Sequence, residues 1–409
     1  MTAATLAPSR DVRVIGLVSA GHLMSHFYMM ALPPLFPLLR AEMGVSNTEL
    51  GAIITVAAIA AGLGQMPTGI AVDRFGARWV LIGGVAVMAT TVALMGMAPG
   101  YAWLPVLAIF LGLANAVFHP ADYAILSHAV RAERVGRAYS LHTFSGYLGW
   151  TAAPMLMTLL AALWGWRVAL LGAAAVGAAV VLALYLGRMH LSSSGTRKSL
   201  APDLAATAKP ASATSLSVLV HPGILVMFGY FVMNAMTTVG LNSFTATALH
   251  DLHGLDFVAA NAGLTAFLVG ACAGVLAGGV IADRTRRYEL VAAAGFIASS
   301  SAVLSIAFVP LGTFGSAAAL GVAGFMLGSI LPSRDMIVRS LTPAGASGRV
   351  FGFLSVGIEI GAAISPTLFG FIIDQGRPEL VFILCAGFMM TAMLGATTAA
   401  VLARRKPHV

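Results

Sequence analysis

Twelve long apolar runs constrain this chain more than any other feature. They fall at about 13–39, 49–72, 78–98, 102–130, 138–162, 166–187, 219–248, 257–282, 289–310, 314–341, 350–373 and 379–403. Each is near the length, about 20 residues, that a helix needs to cross a bilayer. Short links carrying Gly, Pro or charge separate them. Residue usage agrees: 59% is hydrophobic and 9% charged, where a soluble chain carries about 25% charged residues. So few polar groups cannot cover a water-facing surface of this size. The predicted fold class is an all-α membrane protein with twelve transmembrane helices. The first apolar run, from Val12 onward, is too long for a signal-peptide core, so no cleaved leader is expected. Cys272 and Cys385 both lie inside apolar runs, which argues against a disulfide framework or a thiolate metal site.

Basic residues set the orientation. With the N-terminus cytoplasmic, the even-numbered links and the two tails hold 19 of the 23 Lys and Arg residues. The opposite side holds only Arg40, Arg167 and Arg377, and Arg334 lies within a span. This asymmetry predicts both termini inside, in a bacterial inner membrane. It also accounts for the net charge of +8 without a nucleic-acid partner. Residues 188–218, rich in Ser, Thr, Ala and Pro, cannot bury a core and read as a cytoplasmic linker.

The halves repeat. Gly69-Ile-Ala-Val-Asp73-Arg74 recurs as Gly279-Val-Ile-Ala-Asp283-Arg284, an offset of 210. Pro120, Gly136, Arg137 and Pro154 recur as Pro332, Gly348, Arg349 and Pro366, an offset of 212. Residues 1–187 and 219–409 are therefore expected to form two six-helix bundles, related by an axis along the membrane normal, with a substrate site between them.

The stretch Gly69-Ile-Ala-Val-Asp73-Arg74-Phe-Gly76-Ala-Arg78 resembles the loop signature of the major facilitator superfamily. Gly21-His22-Leu-Met-Ser-His26 and Gly112-Leu-Ala-Asn-Ala-Val-Phe118-His119-Pro120 are similar to the fosmidomycin-resistance type of exporter within it. The resemblance implies alternating access about a central cavity lined by spans one, four, seven and ten. It implies that Gly69, Asp73, Arg74, Gly76, Arg78, Gly279, Asp283 and Arg284 form a cytoplasmic gate. Gly69 would admit a close helix neighbour. Asp73 would cap the start of span eleven, and Asp283 the start of span five, when that side closes. There are departures: His26 stands where an acidic residue is expected, Ala121 where a Glu often follows, and Ala153 where the antiporter signature has Gly. They leave export and uptake both open.

Ionisable groups inside the spans cost about 2.5–3.5 kcal/mol each at a helix centre, so each is a functional candidate. Span one has His22 and His26, span four His119 and Asp122, span five His142, span ten Arg334, and span eleven Glu359. Asp122 and Arg334 occupy equivalent positions in the two halves, which predicts an ion pair across the axis when the cytoplasmic side closes. The alternatives are a static bridge, or local pairing of Arg334 with Asp335 and of Asp122 with His119. Asp335 and Arg339, four apart, suggest an intrahelical pair. Asp122, His119, Glu359 and Arg334 are the proton-coupling candidates. His22, His26, His142, Arg334, Asn234, Thr238 and Asn242 are the substrate-binding candidates; Asn234, Thr237, Thr238 and Asn242 share one face of span seven, which suits a cavity wall or hydrogen bonds between helices.

No phosphate loop, zinc motif or Gly-x-Ser-x-Gly elbow is present, so no enzyme is expected. Without an ATP site, an ion gradient must supply the energy. The histidines favour protons, and no other cofactor and no resident metal are expected. The first reading is a monomeric, proton-coupled exporter of a small amphipathic or anionic compound. The alternatives are proton-coupled uptake of a small organic acid, or a metal carrier using His22, His26, His119 and Asp122 as ligands.

Overall fold

Backbone groups find no water in a bilayer, so each apolar run must satisfy its own hydrogen bonds as a helix. The computed structural model describes residues 10–191, 218–343 and 346–404. Most of the linker expected over 188–218, together with Arg405, Lys406 and the first nine residues, lies outside the described residues. The elements are α1 (Arg10–Met29), α2 (Phe36–Met43), α3 (Asn47–Phe75), α4 (Ala77–Gly96), α5 (Trp103–Asn115), α6 (Phe118–Ala129) and α7 (Ala132–Leu186) in the first half. The second half has α8 (Pro222–His253), α9 (Phe257–Arg284), α10 (Tyr288–Phe308), α11 (Gly312–Leu341), α12 (Ser347–Asp374) and α13 (Glu379–Arg404).

Among the described residues, eleven stretches are helical and apolar enough to cross a membrane. The stretch over Arg134–Leu186 is really two spans. Its 53 residues would measure about 80 Å as one helix, far beyond a hydrocarbon core of about 30 Å. The chain turns at Gly165, whose φ of 81° suits a residue without a Cβ. Twelve spans result, with boundaries close to those of the apolar runs. Span one is α1 and α2 joined through the Pro33–Leu35 turn, and span four is α5 and α6.

The repeat extends to helix ends. Gly44 closes α2 and Gly254 closes α8, both left-handed, with φ near 65°. Two residues on, Ser46 caps α3 through the Glu49 amide and Asp256 caps α9 through the Ala259 amide. Small residues let helices touch within each half. Along α9 and α11, Gly270, Gly274, Gly324 and Gly328 each face a backbone carbonyl of the other helix, leaving no room for a Cβ. The outer faces stay apolar, with Leu63, Ile70, Phe110, Leu159 and Phe371 exposed toward lipid.

The two halves meet chiefly along α3–α12 and α7–α9. They are joined unevenly. At the end far from the chain termini, Arg40 of α2 binds Asp251 of α8. At the terminal end, the described ion pairs stay within one half, as in Arg131–Asp11 and Arg404–Glu289. Among the described residues, neither Gly69 nor Gly279 has an atom within 4 Å of where a Cβ would stand. Among the described residues, Asp73 does not cap α12, nor does Asp283 cap α7. Arg74 and Arg78 lie over the rings of their own neighbours Phe75 and Trp79.

Candidate functional site

A cavity of about 850 Å³ lies between the halves. Its first wall carries His26 from α1, Gln65 from α3, His119 and Tyr123 from α6, and Tyr147, Trp150 and Thr151 from α7. The facing wall carries Asn234, Thr238 and Asn242 from α8, Arg334 from α11, and Ser355 and Glu359 from α12. Span seven presents its polar residues selectively. Asn234, Thr238 and Asn242 line the cavity, whereas Thr237 is buried on the other side, its hydroxyl donating to the Met233 carbonyl. Asn242 Oδ1 is buried and has no hydrogen-bond partner among the described residues.

Span four breaks just before its polar turn. Pro120 lacks an amide hydrogen, and α6 starts afresh at Phe118, carrying His119 and Asp122. Asp122 is fully buried and points into the first half. His142 Nε2 and Asp122 Oδ2 share a hydrogen bond at 2.9 Å. His22 Nδ1 lies 3.4 Å from the same oxygen. The His22 and His142 rings stack with centroids 3.7 Å apart. His26 meets His22 edge-on at 4.5 Å, and Trp150 at 4.4 Å. His119 lies 5.4 Å from His22. Four imidazoles thus surround one carboxylate in three layers: Asp122 deepest, His22 and His142 next, His26 and His119 at the cavity. His22 and His142 therefore stand behind the wall, and the expectation that they meet the substrate directly is corrected.

Three buried atoms of this cluster lack a hydrogen-bond partner among the described residues: His22 Nδ1, His142 Nδ1 and Asp122 Oδ1. Such atoms cost about 1–3 kcal/mol each when left unpaired. They mark a site whose protons have more than one place to sit. A metal fits less well. His22, Asp122 and His142 do offer ligand atoms within 4.8 Å of one another. Yet His142 and Asp122 are 2.9 Å apart, nearer than the roughly 3.3 Å between two ligands each about 2.0–2.1 Å from a tetrahedral ion.

Among the described residues Asp122 pairs with neither Arg334 nor His119; the pair with Arg334 was expected only with the cytoplasmic side closed. Arg334 binds its neighbour Asp335 through Nε at 2.9 Å and through a terminal nitrogen at 2.8 Å. Its guanidinium lies 4.8 Å above the Phe231 ring. Asp335 is thereby taken by Arg334 rather than by Arg339. Glu359 accepts from Gln65 Nε2 at 3.3 Å, across the two halves. Sequence reasoning missed Gln65, Tyr123, Tyr147, Trp150 and Ser355. Gln65 was readable, as a primary amide inside an apolar run; the aromatic residues gave no such signal, because aromatic rings are ordinary in membrane helices.

The model of the Major Facilitator Superfamily matches residues 18–264 and 227–409. The chain belongs to the Major Facilitator Superfamily. This is a family of transporters rather than of enzymes, and the chain is a multi-pass member of it. It is similar to the fosmidomycin resistance protein of Escherichia coli K12, 26% identical over 400 residues, covering 96% of this chain and 94% of that one. It is also similar to the multi-drug resistance efflux pump PmrA of Streptococcus pneumoniae TIGR4, 24% identical over 87% of this chain and 88% of the pump. Among solved structures, it shares the fold of a bacterial homologue of the human lysosomal transporter Spinster in an inward-facing, unoccupied conformation. That match has a TM-score of 0.74 and 15% identity, covering 97% of this chain and 95% of the other.

Proposed function

We propose that this superfamily member is a proton-coupled exporter of a small amphipathic or anionic compound, working as a monomer in a bacterial inner membrane with both termini cytoplasmic. The observation that carries the reading is the placing of Asp122. One fully buried carboxylate is linked through imidazoles to the wall of the cavity between the halves. An ionised Asp122 with one protonated imidazole makes the cluster neutral, so the cluster holds one proton without a buried net charge. The wall residues His26 and His119 then serve both passengers. As neutral imidazoles they accept hydrogen bonds from a substrate; once protonated they can only donate. With a hydrogen-bond donor of the substrate set on these rings and its acidic end on the facing wall, a proton arriving from outside displaces that donor, and a substrate arriving from the cytoplasm favours loss of the proton. Arg334, Asn234, Thr238 and Asn242 face the histidines and suit the substrate's acidic or polar end. Glu359 with Gln65 offers a second proton site.

The names of the two relatives above, one a fosmidomycin resistance protein and one a drug efflux pump, agree with outward transport. Everted membrane vesicles test it, with fosmidomycin as the probe. Export by exchange predicts accumulation inside the vesicles driven by an inside-acid gradient. Asp122→Asn should abolish the response to the gradient while leaving exchange of labelled for unlabelled fosmidomycin. Fosmidomycin uptake that ignores the gradient in the wild-type protein would overturn proton coupling. Accumulation driven by an outside-acid gradient would reverse the direction and favour acid uptake.

A further inference from the structure

The seam between α3 and α12 closes the far end of the molecule, and one carboxylate holds its outermost turn. Asp374, the last residue of α12, takes four hydrogen bonds from the first turn of α3 in the other half. Asn47 donates to Oδ1 from its amide and from Nδ2, both at 2.9 Å. Thr48 donates to Oδ2 from its amide at 2.8 Å and from its hydroxyl at 2.6 Å. A helix start leaves four amides without intrahelical partners. In α3, two of them are met by its own capping box: Glu49 N by the Ser46 hydroxyl, and Ser46 N by the Glu49 carboxylate. The other two, Asn47 and Thr48, are met only across the halves.

We propose that Asp374 is a gate residue for transport, a helix cap supplied in trans that holds the far end shut until the halves rock apart. This rests on the alternating-access reading above. Three further features support it. Gly370, one turn before Asp374, faces the Asn47 carbonyl, and Gly51 faces the Pro366 carbonyl; neither has room for a Cβ, so the helices touch closely enough for the carboxylate to reach. A turn deeper, the Thr55 hydroxyl donates to the Ala363 carbonyl at 2.7 Å and lies 2.9 Å from the Thr367 hydroxyl. Beside this seam, Arg40 forms a two-pronged pair with Asp251 at 2.6 and 2.7 Å, also across the halves. The cap is charge-assisted and sits on the positive end of a helix dipole, so it is strong for a partly exposed contact. It is also reversible, because separated amides and carboxylate are each solvated by water.

The arrangement is reciprocal. α3 carries Asp73 near its last turn and α12 carries Asp374 at its end. The two helices run in opposite directions, so each presents a carboxylate to the start of the other, at opposite ends of the molecule. Among the described residues, the Asp374 end is engaged and the Asp73 end is not. When it lets go and the halves tilt, Asp73 is the group placed to take over.

Hydrogen exchange followed by mass spectrometry on the purified full chain tests this without substrate or gradient, so its outcome is independent of what is transported. Asp374→Ala should speed exchange in peptides covering residues 44–55 roughly tenfold, the scale expected for losing charge-assisted bonds. It should also slow exchange in peptides covering residues 69–80 and 346–353, as the other end closes. Faster exchange at 44–55 with no slowing at the other end would mean a merely local cap and would overturn the proposal; so would no change at either end. Arg40→Asp alone should shift exchange in the same two-ended way. Adding Asp251→Arg should reverse it, which guards against a variant that is simply unfolded.

Discussion

Asp122 shows why a single side chain inside a membrane protein is costly to disturb. Its carboxylate has no exposed surface, and its bonded partner is His142. Taking away one partner of a buried pair costs about 3–5 kcal/mol, because the other is left charged or unpaired. His142→Ala should therefore lower stability by about 3 kcal/mol, seen as an earlier unfolding transition in detergent. Asp122→Asn should cost less, since an amide keeps a hydrogen bond to His142 and carries no charge. His128→Ala is the control. That half-buried ring bonds to the Ala124 carbonyl and its neighbour Ser127, so its loss should cost about 1 kcal/mol or less. At this scale the sequence is legible in part. Asp122 and the four histidines of its cluster stood out, because ionisable groups in apolar runs always do. Their partners did not: residue 142 lies 20 positions from residue 122, on the next span, and no spacing rule links the two.

Helices in this protein are shaped by where they must touch. Gly146 of α7 faces the histidine stack, and a Cβ there would lie 2.9 Å from His22 Nε2 and from His26 Cδ2. Gly149, one turn on, faces the Leu23 carbonyl of α1. Alanine is the better helix former by about 1 kcal/mol in an open helix. In α7 the steric term should win. Gly146→Ala is expected to lower the melting temperature rather than raise it, and to reduce transport by pushing His26 from the cavity wall. A thermal scan and the vesicle assay check both. The twelve spans themselves were readable, because the bilayer requires local helices of nearly fixed length. The turn at Gly165 was readable as a gap between apolar runs.

Taken whole, the molecule is two bundles held by a long shared seam. Contacts along α3–α12 and α7–α9 span the interface, and the cavity depends on both walls. Residues 1–187 and 219–409 produced as separate chains in one cell should therefore co-purify, and should restore transport in everted vesicles. Separate folding with no association would show that the covalent connection, not the seam, holds the halves together. Hydropathy, charge asymmetry and the repeat are one-dimensional properties, and lipid reads them directly; the span count, the paired bundles and the inventory of polar groups follow from them. Tertiary structure alone decided that Asp122 turns to His142 and not to Arg334, that Asp335 takes Arg334, and that Asp374 rather than Asp73 is the engaged cap. Such choices depend on helix rotation and tilt over a few ångströms, and short-range contacts of that kind leave no period along the chain.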